Sequence, residues 1–228
     1  LTVFNHVGAI ARMLGLRAAS PRQARVLELG CGNGANLLAL AWYWPQAEFV
    51  GLDLAHRPIE QGRAQAETLG LKNLSLQQAD VATVDRGSLG RFDYVIAHGL
   101  FSWVPTPVRT ACLALIADVL TPNGVAYVSY NAYPGCRMRH LVRELMQFHL
   151  GVDASHDLDT ARRGRELLTT VTALSPDEVP EFFEIVHDEA RRAAESSLNY
   201  LFHDDLAQIN QPYYLHEFCA LAGKAGLT

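Results

Sequence analysis

The chain has 228 residues, 49% of them hydrophobic, which is enough for one large packed domain or for one domain with an insertion. Its formal net charge of -5 argues against non-specific nucleic-acid binding, because neutralising phosphates requires a basic surface. No apolar run is long enough to span a bilayer and no secretory signal opens the sequence, so we expect a cytoplasmic protein with free thiols. The cysteines and histidines lack metal-ligand spacing, so we expect no metal site.

The first 130 residues alternate between predicted strands and helices. An opening helix is predicted at 3–19, where Val3, Val7, Ile10 and Leu14 recur at helical spacing. Strands are then predicted at 25–29, 48–52, 74–78, 92–97 and 124–130, with helices at 35–44, 58–69 and 107–120. Strands that alternate with helices favour a parallel, doubly wound α/β sheet with helices on both faces.

Residues beyond 130 follow a helical pattern instead. Helices are predicted at 137–150, 158–171, 175–192 and 213–223. The third opens with Ser-Pro-Asp-Glu at 175–178, which resembles a capping box. We therefore divide the chain into a core at 1–136, a helical insertion after strand five at 137–210 and a return to the core at 211–228. We also expect the natural protein to continue beyond Thr228 with the last strands of the sheet.

The stretch 25–34, Arg-Val-Leu-Glu-Leu-Gly-Cys-Gly-Asn-Gly, is an apolar strand that runs into three alternate glycines. Glycine adopts left-handed angles and leaves room for a ligand beside the backbone. Asp53 ends the next strand, where a carboxylate can bind ribose hydroxyls. These features predict a nucleotide-type cofactor. The glycine spacing alone also leaves open the dinucleotide fingerprint, and with it an NAD-dependent oxidoreductase.

Residues 28–34, Glu-Leu-Gly-Cys-Gly-Asn-Gly, resemble the E/D-x-G-x-G-x-G signature of class I S-adenosylmethionine (SAM) methyltransferases. Asp53 in Gly-Leu-Asp-Leu matches the ribose-binding acid of that family, and Asp80 in Gln-Ala-Asp-Val matches its adenine-binding acid. Residues 92–97 resemble the fourth strand and 120–124 the turn before the fifth. The resemblance implies a Rossmann-like, mostly parallel methyltransferase sheet. It also implies that SAM is bound by Glu28, Gly30, Cys31, Gly32, Asn33, Gly34, Asp53, Leu54, Asp80, Val81 and His98.

The resemblance narrows at residues 97–105, 128–135 and 200–204, which are similar to a bacterial methyltransferase group with a methyltransferase regulatory domain. Some members of that group methylate lysine side chains of proteins, so it implies a protein substrate that presents lysine. The expected acceptor pocket follows strands four and five on the cofactor side and consists of His98, Tyr130, Asn131 and Tyr133.

Two further readings bear on function. The oxidoreductase alternative lacks a Tyr-x-x-x-Lys pair, and the chain has only two lysines, Lys72 and Lys224. A non-catalytic SAM-binding module that regulates a partner through its helices is the third hypothesis. Residues 137–228 hold fifteen acidic and nine basic side chains, which can attract a lysine-bearing substrate, although a solvated helical surface explains this more simply. We expect the insertion to cover the cofactor cleft as a lid or substrate platform.

Overall fold

The computed structural model describes residues 2–151, 157–173 and 183–228. The chain divides into two compact units, the first with two hydrophobic cores and the second with one. The first unit consists of Leu1–Tyr130 and His216–Thr228, and the second of Asn131–Leu215. The predicted insertion at 137–210 therefore lies within the second unit. Within the described ranges, no helix is both long enough and apolar enough to cross a membrane.

The first unit contains one sheet of five parallel strands. The strands are β1 (Arg25–Leu29), β2 (Glu48–Asp53), β3 (Leu74–Gln78), β4 (Phe92–Ala97) and β5 (Leu120–Val128). Their order is β3-β2-β1-β4-β5, so the direction of winding reverses between β1 and β4. Ligands of open α/β sheets bind at the carboxyl ends of the strands beside such a reversal. The predicted parallel, Rossmann-like sheet is confirmed.

Helices cover both faces of this sheet, as the burial of β1 shows. Val26 and Leu27 point to opposite faces, and both are fully buried. Val26 packs in a core with Phe4 of the first helix, whereas Leu27 packs in a second core with Leu115 of the fifth. The helices of this unit are α1 (Phe4–Met13), α2 (Ala35–Tyr43), α3 (His56–Thr68), α4 (Arg86–Leu89), α5 (Thr106–Val119) and, near the end of the chain, α10 (Leu215–Lys224).

The first helix is shorter than predicted, because it ends at Met13 rather than near residue 19. Gly15 has a φ of 89°, and its N–H donates to the carbonyl of Arg12 at 3.0 Å. The N–H of Leu16 donates to the carbonyl of Ala11 at 2.9 Å. These two bonds form a Schellman motif, in which a left-handed glycine ends the helix. The prediction followed the apolar spacing and overlooked this stop signal.

Strand β5 begins at Leu120, four residues before the predicted start, and α5 ends at Val119. Phe92 pairs with Leu120, but Tyr94 pairs with Val125, so residues 121–124 bulge opposite Asp93 alone. The segment predicted to be a turn before the strand is therefore a bulge within it. Its proline lacks an N–H to donate, which suits a bulge.

The second unit is helical and contains α6 (Arg137–Leu150), α7 (Leu158–Thr172), α8 (Phe183–Glu195) and the short α9 (Leu198–Tyr200). Val142, Met146, Ala161, Leu168 and Ala190 are among the side chains of its core. The ends of this unit are joined by a parallel bridge between Ala132 and Tyr213. The predicted capping box at 175–178 lies outside the described residues.

Candidate active site

Of the three glycines in the turn after β1, only the middle one has open space beside it. Gly30, Gly32 and Gly34 have φ angles of 68°, 56° and 71°, which side-chain-bearing residues rarely adopt. A Cβ on Gly34 would lie 2.8 Å from Leu76 Cδ1, and one on Gly30 would lie 3.1 Å from Leu100 Cδ1. A Cβ on Gly32 would meet nothing within 4 Å. The outer glycines are thus packed against neighbours, and the middle one leaves space for a ligand at the start of α2.

Asp53, at the end of β2, is connected to this turn. Its Oδ2 accepts a hydrogen bond from the N–H of Gly32 at 2.7 Å, and its Oδ1 accepts one from the N–H of Ala55 at 2.8 Å. The side chain is only half-buried. Because each carboxylate oxygen has a second lone pair, Asp53 can still accept hydrogen bonds from ribose hydroxyls.

The residues predicted for the adenine side follow β2 and β3. The Asp80 carboxylate accepts a hydrogen bond from the N–H of Ala82 at 2.8 Å and is half-buried. Val81 is buried in the core, whereas Leu54 is 69% exposed at the end of β2. That Leu54 contacts the adenine ring stays a prediction. Asp53 is the last residue of β2, and Asp80 lies two residues beyond the end of the neighbouring parallel strand β3.

Glu28 is the most unusual side chain of the site, because it is a buried carboxylate with incomplete hydrogen bonding. It is 5% exposed, and Oε1 accepts a hydrogen bond from Asn36 Nδ2 at 3.1 Å. Oε2 is buried and has no hydrogen-bond partner among the described residues. Burial raises the pKa of Glu28 from 4.5 to about 7, and the Asn36 hydrogen bond opposes part of that effect. An unpaired carboxylate oxygen here fits the ammonium group of the methionine part of SAM.

Glu28→Gln is expected to stabilise the ligand-free protein at pH 8. Folding raises the pKa of Glu28 from 4.5 to about 7. The contribution of the protonated side chain to the free energy of unfolding is therefore complete below pH 4.5 and is lost as the pH rises through 7. Glutamine avoids the buried charge, so the gain in unfolding free energy should be on the order of 2–3 kcal/mol at pH 8 and below about 1 kcal/mol at pH 5. Denaturant unfolding at both pH values measures this. A variant less stable than the wild type at pH 8 would refute the burial account.

His98 follows β4 and is exposed. Its Nδ1 lies within hydrogen-bond distance of the Thr2 hydroxyl, and its ring centroid is 5.8 Å from that of Tyr127. Thr2 is itself buried although it stands almost at the start of the chain. No local sequence pattern indicates this partner, because 96 residues separate the two side chains.

Tyr130 comes just after β5 and belongs to the first unit. Its ring stacks on Phe218 of α10, with centroids 4.4 Å apart and planes 21° apart. Phe218 also meets the buried Phe101 edge-on at 5.4 Å. Burial, with a smaller contribution from Cys219, raises the pKa of Tyr130. Phe218 was not predicted as a site residue, because in the sequence it is one of several apolar residues of a predicted helix.

The other two predicted acceptor-pocket residues belong to the second unit. Asn131 Nδ2 donates to Asn210 Oδ1 at 2.8 Å. The guanidinium of Arg137 lies 4.0 Å from the centre of the Tyr133 ring. The ring centroids of Tyr133 and Tyr214 are 5.3 Å apart. Both side chains thus have partners in their own unit. That His98, Tyr130, Asn131 and Tyr133 converge on the transferred methyl group stays a prediction.

The sheet order, the open glycine turn and the acids at three strand ends define a Rossmann-like domain of the class I methyltransferase type. Residues 26–124 match the family model described as a methyltransferase domain. The chain is 31% identical to RP028 of Rickettsia prowazekii over 220 residues, and this aligned region is 96% of the chain and 87% of RP028. It belongs to the class I family of SAM-dependent methyltransferases, and the cofactor of that family is S-adenosylmethionine.

Two longer proteins are also similar. RP789 of Rickettsia prowazekii is 35% identical over 222 residues, which is 97% of this chain and 40% of RP789. The structure of PKMT2 from Rickettsia typhi in complex with AdoHcy matches with a TM-score of 0.86 and 32% identity, over 96% of this chain and 42% of PKMT2. The chain therefore spans about two fifths of the length of these two relatives.

Proposed function

We propose that this chain is the catalytic part of a SAM-dependent methyltransferase whose acceptor is a lysine side chain of a protein. The cofactor assignment depends above all on Glu28, a buried carboxylate with one unpaired oxygen in the strand that leads into the open glycine turn. The acceptor assignment is supported by the resemblance of residues 97–105, 128–135 and 200–204 to a methyltransferase group some of whose members methylate protein lysines, together with the similarity to PKMT2.

The geometry of the first unit supports the proposed cofactor contacts. S-adenosylmethionine supplies a methyl group activated by its sulfonium charge. Glu28 offers a negative charge to the ammonium group, and Asp53 accepts hydrogen bonds from the ribose. Asp80 accepts one from the adenine amino group, while Leu54 covers the ring. Gly32 allows the cofactor to approach the backbone, since a side chain there would occupy the open space.

The acceptor amine has to be neutral before its nitrogen can attack the methyl carbon. Burial among apolar and aromatic groups lowers the pKa of a lysine and so favours the neutral amine. The stacked Tyr130 and Phe218 offer aromatic surface at the end of β5. The remaining task of the protein is to align the amine with the methyl group and to exclude water. We include His98, Asn131 and Tyr133 in the pocket as part of the proposal.

The helical insertion at 137–210 is proposed to act as a lid or a platform for the protein substrate. Its acidic surplus is a weak argument for this role, because many of its acids are already paired. Asp205 is buried and bonded to Arg139 Nε at 2.6 Å. Arg162 pairs with Asp159 and Arg192 with Glu189 along the helix surfaces. Such exposed pairs are typical of a solvated helical surface.

Methyl transfer to lysine can be tested with the full chain, SAM and a panel of lysine-rich proteins, with mass spectrometry to locate the methyl groups. We expect methylated lysines that are absent when AdoHcy is in excess.

Tyr133→Phe keeps the ring against Arg137 and removes only the hydroxyl, so it should lower turnover about tenfold or more while SAM affinity stays constant. SAM binding without methylation of any protein would favour the non-catalytic module. Unchanged turnover in Tyr133→Phe would remove that hydroxyl from the acceptor pocket.

A further inference from the structure

Asn36, the second residue of α2, connects two parts of the first unit that are far apart in sequence. Its Oδ1 accepts a hydrogen bond from the N–H of Thr2 at 3.1 Å. Its Nδ2 donates to Glu28 Oε1 at 3.1 Å and to the carbonyl of Thr2 at 3.3 Å. One amide group therefore contacts both the N-terminal segment and the buried carboxylate of the cofactor site.

The contact with Thr2 fixes which way the Asn36 amide points. A backbone N–H can only donate, so the atom that faces it must be the amide oxygen, and the amide nitrogen must then face Glu28. The backbone carbonyl of Thr2 accepts from the same nitrogen and reinforces this orientation. Asn36 thus presents a donor to Glu28 with little freedom to turn away.

We propose that Asn36 is a positioning residue, which orients the Glu28 carboxylate so that its free oxygen faces the ammonium group of the cofactor. This inference rests on the proposed binding of SAM. A hydrogen bond to the charged form of a carboxylate favours that form, which is the form that attracts an ammonium group. Asn36 therefore keeps Glu28 competent to bind in a place where burial would otherwise neutralise it.

The charge of the chain's amino terminus lowers the pKa of Glu28, and among the described residues three further titratable groups lie near it or are linked to it. Burial, followed by the charges of Asp53 and Glu28, raises the pKa of the Cys31 thiol in the glycine turn to about 12, so the thiol is neutral at physiological pH. Asp53 at the end of β2 is held by two backbone N–H groups. His98 after β4 is linked to Asn36 through Thr2. A test of the pH dependence must separate Glu28 from these other groups.

The test is the dissociation constant of SAM, measured by calorimetry from pH 5.5 to 8.5 on the full chain. In the wild type we expect affinity to rise about tenfold per pH unit below pH 7, as Glu28 ionises, and then to level off. Glu28→Gln should bind SAM weakly and lose this rise, whereas a rise caused by any other group would survive the substitution. Deprotonation of the cofactor's own amine affects all variants equally, so the ratio between variants is the quantity to compare.

Asn36→Ala should bind SAM about tenfold more weakly than the wild type at pH 6.5, and the gap should narrow by pH 8.5 as Glu28 ionises without its donor. Asn36→Asp keeps an acceptor for the N–H of Thr2 but cannot donate to Glu28 and adds a negative charge. It should therefore lose more SAM affinity than Asn36→Ala. It also serves as the second variant if alanine disturbs the fold.

Asn73→Ala is the matched structural control. Asn73 Nδ2 donates to the carbonyls of Ala41, Trp44 and Ala47, so its removal should lower stability and leave the pH profile of SAM binding unchanged. If the Asn36 variants show the wild-type profile, or a loss that is the same at every pH, Asn36 is not a positioning residue. If the wild type binds no SAM at any pH, the proposed function itself is wrong.

Discussion

Gly62→Ala is expected to destabilise the protein and to weaken SAM binding at least tenfold, although alanine normally stabilises a helix. Gly62 lies in α3, and a Cβ there would be 2.3 Å from the carbonyl oxygen of Asn33 and 2.6 Å from Leu76 Cδ1. The carbonyl belongs to the glycine turn and can yield only if the turn moves. Overpacking of this kind costs about 1–3 kcal/mol, and the displaced turn would no longer fit the cofactor.

Gly223→Ala is the matched control for this substitution. Gly223 is also helical, in α10, and a Cβ on it would meet nothing within 4 Å. Alanine should therefore stabilise the protein by up to about 1 kcal/mol and leave SAM affinity unchanged. Chemical denaturation and calorimetric titration measure both effects. If Gly62→Ala behaves like Gly223→Ala, α3 does not hold the turn in place.

Asp53→Ala should lower SAM affinity by about a hundredfold, because it removes a charged acceptor from the proposed ribose site. It also removes the partner of the N–H groups of Gly32 and Ala55, which hold the end of β2 against the turn. Asp53→Asn keeps the size of the side chain and one acceptor oxygen, so it should lose less SAM affinity than Asp53→Ala. Calorimetry with SAM and with AdoHcy gives both affinities.

Asp85→Ala provides the comparison for Asp53. Asp85 accepts a hydrogen bond from the N–H of Gly87 at 3.0 Å as the N-cap of α4 and is exposed. Its replacement should cost about 1 kcal/mol of stability and leave SAM affinity unchanged. Equal affinities for Asp53→Ala and the wild type would remove Asp53 from the cofactor site.

The sheet and the glycine turn could be predicted from sequence because their signals are local. The apolar strand of β1, the three glycines and the following helix are adjacent in the chain, and each matches a known pattern. The predicted limits of β1, β3, β4 and α6 agree with the structure. The early end of α1 was also predictable, since Gly15 is a typical C-terminal stop.

Other features depend on contacts that no local pattern contains. The bulge of β5 arises from its register against Asp93 in β4. Gly62 of α3 lies against the carbonyl oxygen of Asn33 in the glycine turn, and Asn36 is hydrogen-bonded to Thr2, 34 positions away in the chain. Phe218 joins the end of β5 only because α10 returns to the first unit. In each case the partner is chosen by tertiary packing, which residue spacing does not reveal.

The central claim is that the first unit holds SAM at the glycine turn, with Glu28 and Asp53 as its charged contacts. Titration of the full chain with SAM, AdoHcy and NAD, followed by calorimetry and by thermal unfolding, tests this claim directly. We predict saturable binding of SAM and AdoHcy, with stabilisation of about 2.7 kcal/mol at a hundred times the dissociation constant, and no stabilisation by NAD. Stabilisation by NAD without binding of SAM or AdoHcy would contradict the account.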